Sequence, residues 1–239
     1  MNVYRNINNI FFIFALSHLI VWTLVPSITN NNLPLDTIEA LAWGSNLDWG
    51  FSKHPPMSAF FPEVFYKIFG AQDWAYYLLS QLFVLIAFYY VFKFANEILG
   101  NISLALISIL LLTSIYFYNF TTPEFNVNVC QLPFWSMVVY YSWRIYDSKE
   151  IKLSDCLLVG IFAAIGFLSK YLFIYLLLSV DLLFIYLIFF KKTKKFDFKY
   201  LITLEVFLVL LVPHFIWLYD NEFITIFYGL KRTGLEESV

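Results

Sequence analysis

Seven stretches of the chain are apolar over enough residues to read as membrane spans, at 10–28, 74–92, 102–120, 126–143, 156–169, 171–190 and 200–218. A transmembrane helix needs roughly 20 mostly apolar residues. The fifth stretch is short and runs into the sixth through Ser169-Lys170, which predicts a tight helical hairpin. Asn96 to Asn101 and Thr121 to Glu124 predict the other short turns. The long polar interval, 29–73, separates the first two spans. Within it Ile38, Leu41, Ala42 and Ser45 recur at helical spacing, while Asp36, Glu39, Trp43 and Asn46 point elsewhere. That pattern predicts an amphipathic helix lying along the membrane interface, apolar side down. Pro55 and Pro56 break the chain, and Phe60 to Phe69 reads as a second interfacial helix. The predicted fold is all-α: one polytopic membrane domain, 1–239, of about seven transmembrane helices.

Composition agrees with that pattern. Apolar residues make up 61% of the chain and charged residues 13%, against about 25% charged in an ordinary soluble domain. Lys and Arg then set the orientation. With the N-terminus inside, Arg5, Lys93, Arg144, Lys149, Lys152, Lys191, Lys192, Lys194, Lys195 and Lys199 are cytoplasmic. Lys53, Lys67, Lys170, Lys231 and Arg232 lie outside. The acids run the other way: Asp36, Glu39, Asp48, Glu63, Asp73, Glu124, Asp220, Glu222, Glu236 and Glu237 are all on the outer face. Any chemistry is therefore expected there. The first span is too long for the apolar part of a signal peptide, and Val25-Pro26-Ser27 is a poor cleavage site, so it reads as a retained anchor.

Two acids and a basic pair stand out in the first outer loop. Asp36 and Glu39 are three apart and share a helix face, where a carboxylate can act as general base towards a hydroxyl or amine. The same spacing at a helix start also resembles a capping box. Lys53 and His54, stiffened by Pro55-Pro56, supply positive charge and donors suited to a phosphate leaving group; the plainer alternative is an exposed charged loop. Lys170 sits between two hydrophobic runs, where it must pair with an anion or snorkel to the headgroups. Glu124 and His214 lie near outer ends of spans and are candidates for the wall of the same cavity. His18, Gln81 and Asp181 fall near mid-membrane and read as buried interhelical hydrogen-bonding groups.

Some chemistry is unsupported. No phosphate-binding glycine loop, GxGxxG, HExxH, GxSxG or paired CxxC occurs. Cys130 and Cys156 form no metal-ligand pattern, and no basic patch interleaved with aromatics points to nucleic acid. A divalent metal is compatible with this sequence but not required by it, and no cofactor is expected.

Taken in order, Pro34-Leu35-Asp36-Thr37-Ile38-Glu39-Ala40, Lys53-His54-Pro55-Pro56, Thr122-Pro123-Glu124-Phe125-Asn126, Gly166-Phe167-Leu168-Ser169-Lys170-Tyr171 and Pro213-His214-Phe215-Ile216-Trp217 resemble the bacterial branch of glycosyltransferase family 39. That branch includes lipid A aminoarabinose transferases, lipopolysaccharide-core sugar transferases and protein O-mannosyltransferases. The resemblance runs from about residue 10 to 235. It implies a GT-C fold in a bacterial inner membrane, a polyprenyl-phosphate-linked sugar donor, a lipid, glycan or protein acceptor, and inverting transfer on the periplasmic face. It also implies that Asp36 serves as the catalytic base and that Lys53, His54 and Lys170 stand near the donor phosphate; Glu39, on the same helix face as Asp36, is the second catalytic candidate. The chain departs from many relatives in having Thr37, not Glu, after Asp36. Relatives are also about twice as long, so 219–239 is expected to begin a further periplasmic loop. The competing readings are a lipid or solute transporter working through His18 or Asp181, and an inactive fragment of such a transferase.

Overall fold

The computed structural model describes residues 2–232, with side chains described from residue 7 onward. The Arg5 side chain and the acids Glu236 and Glu237 lie outside the described residues. Every regular element among those described is helical. Helices stand at all seven expected span positions, and the chain is a polytopic membrane protein. The segments Ile7–Thr29, Asp73–Leu99, Tyr171–Phe190 and Lys199–Asp220 are both long and apolar enough to cross a bilayer unaided.

The first span is α1 (Asn2–Thr29), followed by two short helices of the outer loop, α2 (Leu35–Gly44) and α3 (Met57–Phe69). The second span, α4 (Asp73–Leu99), is followed by α5 (Ile102–Leu112). Next come α6 (Val127–Asp147), α7 (Leu153–Ser169), α8 (Ile174–Ile185), α9 (Lys199–Asp220) and α10 (Ile224–Arg232).

The core is built in two parts around α4. On one side Phe83, Phe134, Val138, Val159 and Ala163 close the space between α4, α6 and α7. On the other, Phe11, Phe88, Phe92, Ala105 and Ile109 join α1, α4 and α5, with Phe11 and Phe92 stacked at 4.4 Å. The remaining apolar surface is extensive: Leu178, Leu182 and Leu183 on α8 and Leu204, Leu208 and Val209 on α9 are all exposed. In a bilayer this surface faces lipid tails and costs nothing.

Three expectations are corrected. The third span is not one helix: α5 stops at Leu112, and a turn leads into a π-helical segment, Phe117–Thr121. The side-chain amide of Asn119 holds that break by donating to the Thr113 carbonyl at 2.5 Å. Second, α7 and α8 do not pair as a hairpin. Between them stand Lys170, which is extended (φ −161°, ψ 129°), and a single 3-10 turn, Tyr171–Phe173, that runs straight on into α8. The chief partners of α7 are α6 and α9. In the outer loop α2 packs through a face made of Thr37, Ala40 and Gly44, with Ile38, Ala42 and Ser45 outward. Small residues win that face because α3 comes very close: a Cβ on Gly44 would lie 2.7 Å from the Ala59 carbonyl oxygen. Third, Asp181 is exposed on α8 and bonds to no other helix among the described residues.

Candidate functional site

Thr122-Pro123-Glu124-Phe125-Asn126 is the hub on which the outer face is assembled. The Thr122 carbonyl accepts the Ser80 hydroxyl of α4. The Glu124 carboxylate accepts the backbone N–H of Asp36 at 3.1 Å, and the Phe125 carbonyl accepts the Thr37 hydroxyl at 3.1 Å. Asn126 caps α6, its side-chain oxygen taking the N–H groups of Asn128 and Val129. Two residues on, Asn128 accepts the Lys170 ammonium at 2.5 Å. Helix starts leave N–H groups without partners, so an acid or amide placed there both satisfies them and fixes the helix in space.

These anchors create a narrow cleft of about 20 Å³, lined by Asp36, Glu39, Ala40, Trp43, His54, Ser58, Asn126 and Val127. At the first turn of α2, Pro34 holds the cap position and makes no side-chain cap, so the capping-box alternative for Asp36 is not realised. The Asp36 side chain is exposed and takes no hydrogen bond from other described residues. Glu39, one turn on, pairs with Lys53 at 2.5 Å, and that bond raises the Lys53 pKa. Trp43 stacks on Phe51 at 5.5 Å and meets the His54 ring edge-on at 5.7 Å. Of the sequence-derived candidates, Asp36, Glu39 and His54 line the cleft together, while Lys53 reaches it through Glu39.

His54 registers the charges around it. Burial lowers its pKa; Glu39 and Asp36 pull it back up, and Lys170 and Arg232 push it further down. Burial also lowers the Lys170 pKa, with Arg232 acting in the same direction. Lys170 thus turns inward to Asn128 rather than out to the headgroups. Glu124, at the far side of the Asp36 amide, has its carboxyl pKa raised by burial.

His214 lies behind the cleft rather than in its lining. It is wholly buried, with Nδ1 2.6 Å from the Trp49 carbonyl oxygen and Nε2 2.7 Å from the Tyr171 hydroxyl. A carbonyl only accepts, so Nδ1 carries the proton and the neutral ring takes the Tyr171 hydroxyl at Nε2. The Phe51 carbonyl similarly accepts the Thr225 hydroxyl of α10 at 2.6 Å. Together α9 and α10 clasp the 49–51 segment that leads into Lys53 and His54. His18 and Gln81 are buried between helices, Gln81 donating to the Thr122 hydroxyl at 3.5 Å, with no place in the cleft lining.

Arg232 is the functional candidate that sequence reasoning left among the ordinary outer charges. Thr225, Tyr228 and Arg232 are spaced i, i+3, i+7 on α10 and share one face. Thr225 pins that face to the loop before Lys53, and the positive charge of Arg232 bears on both His54 and Lys170. The signal available was the 225-228-232 spacing, but it means nothing until α10 is known to fold back. Among the described residues no three His, Cys, Asp or Glu side chains are grouped to hold a metal ion.

No curated protein and no solved structure matches the chain. A family model described as dolichyl-phosphate-mannose-protein mannosyltransferase matches residues 53–217, which takes in Lys53, His54, Glu124, Lys170 and His214 and begins after Asp36 and Glu39. That match spans well over half of the chain, and the chain belongs to the dolichyl-phosphate-mannose-protein mannosyltransferase family of GT-C membrane glycosyltransferases.

Proposed function

We propose that this protein transfers a sugar from a polyprenyl-phosphate donor to an acceptor of the bacterial cell envelope, at the periplasmic face of the inner membrane. The acceptor is a lipid, glycan or protein carrying a hydroxyl or amine. The observation that carries this reading is one cleft in which an unbonded carboxylate, Asp36, stands with His54 and the Glu39–Lys53 pair. Lys170 and Arg232 are close enough behind to act on His54. A base in the cleft with cations beside it matches the two charge changes of glycosyl transfer, since one group gains a proton as another leaves with negative charge.

In the proposed reaction Asp36 removes the proton from the acceptor oxygen or nitrogen, which attacks the anomeric carbon of the sugar. The bond from that carbon to the phosphate oxygen breaks, and polyprenyl phosphate departs with the electron pair. Attack opposite the leaving group inverts the anomeric configuration. Lys53, His54, Lys170 and Arg232 stabilise the charge gathering on the phosphate. Glu39 holds Lys53 at the rim until the donor phosphate competes for it. Glu124 and His214 act at one remove, the first through the Asp36 amide and the second through the Trp49 loop.

The test is transfer from a radiolabelled polyprenyl-phosphate sugar to membrane acceptors by the wild-type chain and by Asp36→Ala. General-base catalysis is worth about 10² to 10⁴ in rate, so Asp36→Ala should lose at least about a hundredfold while still binding donor. Wild-type turnover by that variant would remove Asp36 as the base. Wild-type protein that transfers no sugar from any polyprenyl phosphate would remove the activity itself.

A further inference from the structure

The start of α3 has four features that together describe an anion site. First, α3 has thirteen residues, carries no side-chain cap and begins after two prolines, which have no N–H to offer. Second, the N–H groups of Ala59 and Phe60 turn back to the Pro56 carbonyl, while those of Met57 and Ser58 meet no acceptor among the described residues. Third, the Ser58 hydroxyl is buried, with 1% of the residue exposed, and has no hydrogen-bond partner. Fourth, Ser58 lines the same cleft as Asp36 and His54.

A buried hydroxyl without a partner is costly, and at most sites the fold would have supplied one or placed an alanine. Other buried polar atoms here also lack partners, among them His18 Nε2, Thr23 Oγ1 and Ser142 Oγ, but none of those residues lines this cleft. Ser58 is thus singled out by position as well as by its missing bond. A helix N-terminus presents N–H groups and the positive end of the helix dipole, and it favours an anion. His54, two residues before the Pro56 cap, adds a further donor on the same side.

We infer that the first turn of α3, through the Met57 and Ser58 amides and the Ser58 hydroxyl, is an oxyanion cradle for a phosphate group. It rests on the donor reading given above, and adds to the cationic side chains a set of neutral, rigid donors. The division of labour has a physical reason. Asp36 and Glu39 line the same cleft, and a mobile ammonium there is drawn to a carboxylate, as Lys53 is to Glu39. Backbone amides cannot leave their positions, so they hold a phosphate apart from the base. The cleft is narrow as it stands, and seating a phosphate requires it to widen.

The experiment measures equilibrium binding of a polyprenyl phosphate, the matching polyprenol without phosphate, and inorganic phosphate to the full chain in lipid nanodiscs. Wild type, Ser58→Ala and Ser58→Thr are compared, each with its unfolding temperature. A hydrogen bond to a charged group is worth about tenfold to a hundredfold in binding. Ser58→Ala should therefore lose at least about tenfold of the preference for polyprenyl phosphate over polyprenol, and Ser58→Thr, which keeps the hydroxyl, should retain it. The unfolding temperature of Ser58→Ala should not fall, because the hydroxyl removed has no partner in the fold. Inorganic phosphate binding with the same dependence on Ser58 would support the cradle and make a free phosphate its ligand. A Ser58→Ala protein with the full wild-type preference overturns the cradle and leaves the transferase reading intact. Wild-type protein with no preference for phosphate over polyprenol overturns both.

Discussion

Glu124 accepts the backbone N–H of Asp36 at 3.1 Å, so a carboxylate 88 residues away caps the helix that bears the proposed base. This is an N-cap supplied from outside the helix, and its job is one that Pro34, at the cap position itself, cannot do. With Thr37 bonded to the Phe125 carbonyl at 3.1 Å, the first turn of α2 is fixed at two points on the 122–126 hub. The position of Asp36 is therefore set by α6 as much as by its own loop.

The first prediction follows from that cap. Glu124→Ala should destabilise the protein by about 1 kcal/mol, the usual cost of a lost N-cap. Burial raises the Glu124 carboxyl pKa above its ordinary 4.5, the Asp36 charge acting in the same direction and the Asp36 N–H opposing. The folded state thus holds this proton more tightly than the unfolded chain. Stability from this group is greatest in acid and declines as pH rises from about 4.5 through the raised folded value. Glu124→Gln still accepts the N–H but cannot ionise. Its unfolding temperature, measured in detergent, should gain on wild type as pH rises through that window and then run parallel. A difference that stays constant from about pH 4 to pH 7 would contradict the assignment.

The clasp behind the cleft gives the second. Gly50 lies under the indole of Trp217, and a Cβ there would come within 2.2 Å of the ring. Gly50→Ala should cost about 1–3 kcal/mol, as over-packing does. It should also weaken donor binding, because the displaced segment carries Lys53 and His54. Adding Trp217→Leu makes room, and should restore donor binding to Gly50→Ala protein. Unchanged stability and donor affinity in the single variant would mean that α9 does not position this loop.

The sequence pattern made the helices legible and left their meeting points hidden. Hydropathy placed helix at all seven apolar positions, though the third is broken after Leu112, and the proline pair separated α2 from α3, because apolar character is written into each segment locally. The protein-facing side of α2 was hidden for the opposite reason. The apolar pattern of Ile38 and Leu41 marks an interfacial side, while α3 approaches so closely that only Thr37, Ala40 and Gly44 fit beneath it. In a membrane the apolar side of an interfacial helix need not be its protein side. The contacts that build the site join residues far apart in the chain: Asp36 to Glu124, Trp49 to His214 and Phe51 to Thr225. No periodicity encodes such pairs. Arg232 was obscured in the same way, since its role depends on α10 returning to the first loop. The candidates Asp36, Glu39, Lys53, His54 and Lys170 were found because charge beside a bilayer needs a reason, whichever way the helices pack.

The third prediction uses His54 as a gauge of the whole site. Burial is the main cause of its lowered pKa, so that part should persist in every variant that folds. The remaining contributions have opposite signs: Glu39 and Asp36 raise its pKa, and Lys170 and Arg232 lower it. Removing a neighbouring positive charge makes the imidazolium easier to form, and removing a negative one makes it harder. Lys170→Met and Arg232→Gln should therefore each raise the His54 pKa, while Glu39→Gln and Asp36→Asn should each lower it. The chain has three histidines, so ring-labelled protein in detergent gives few enough signals to assign by His18→Gln and His214→Gln. A phosphodiester donor carries a constant negative charge over the relevant range, so its binding should raise the His54 pKa, and by less once Arg232 is gone. That last comparison separates the cluster from a set of unrelated surface charges. If donor raises the His54 pKa equally with and without Arg232, then α10 has no part in holding the phosphate. If the four substitutions leave the His54 pKa unmoved, the charges do not share the cleft.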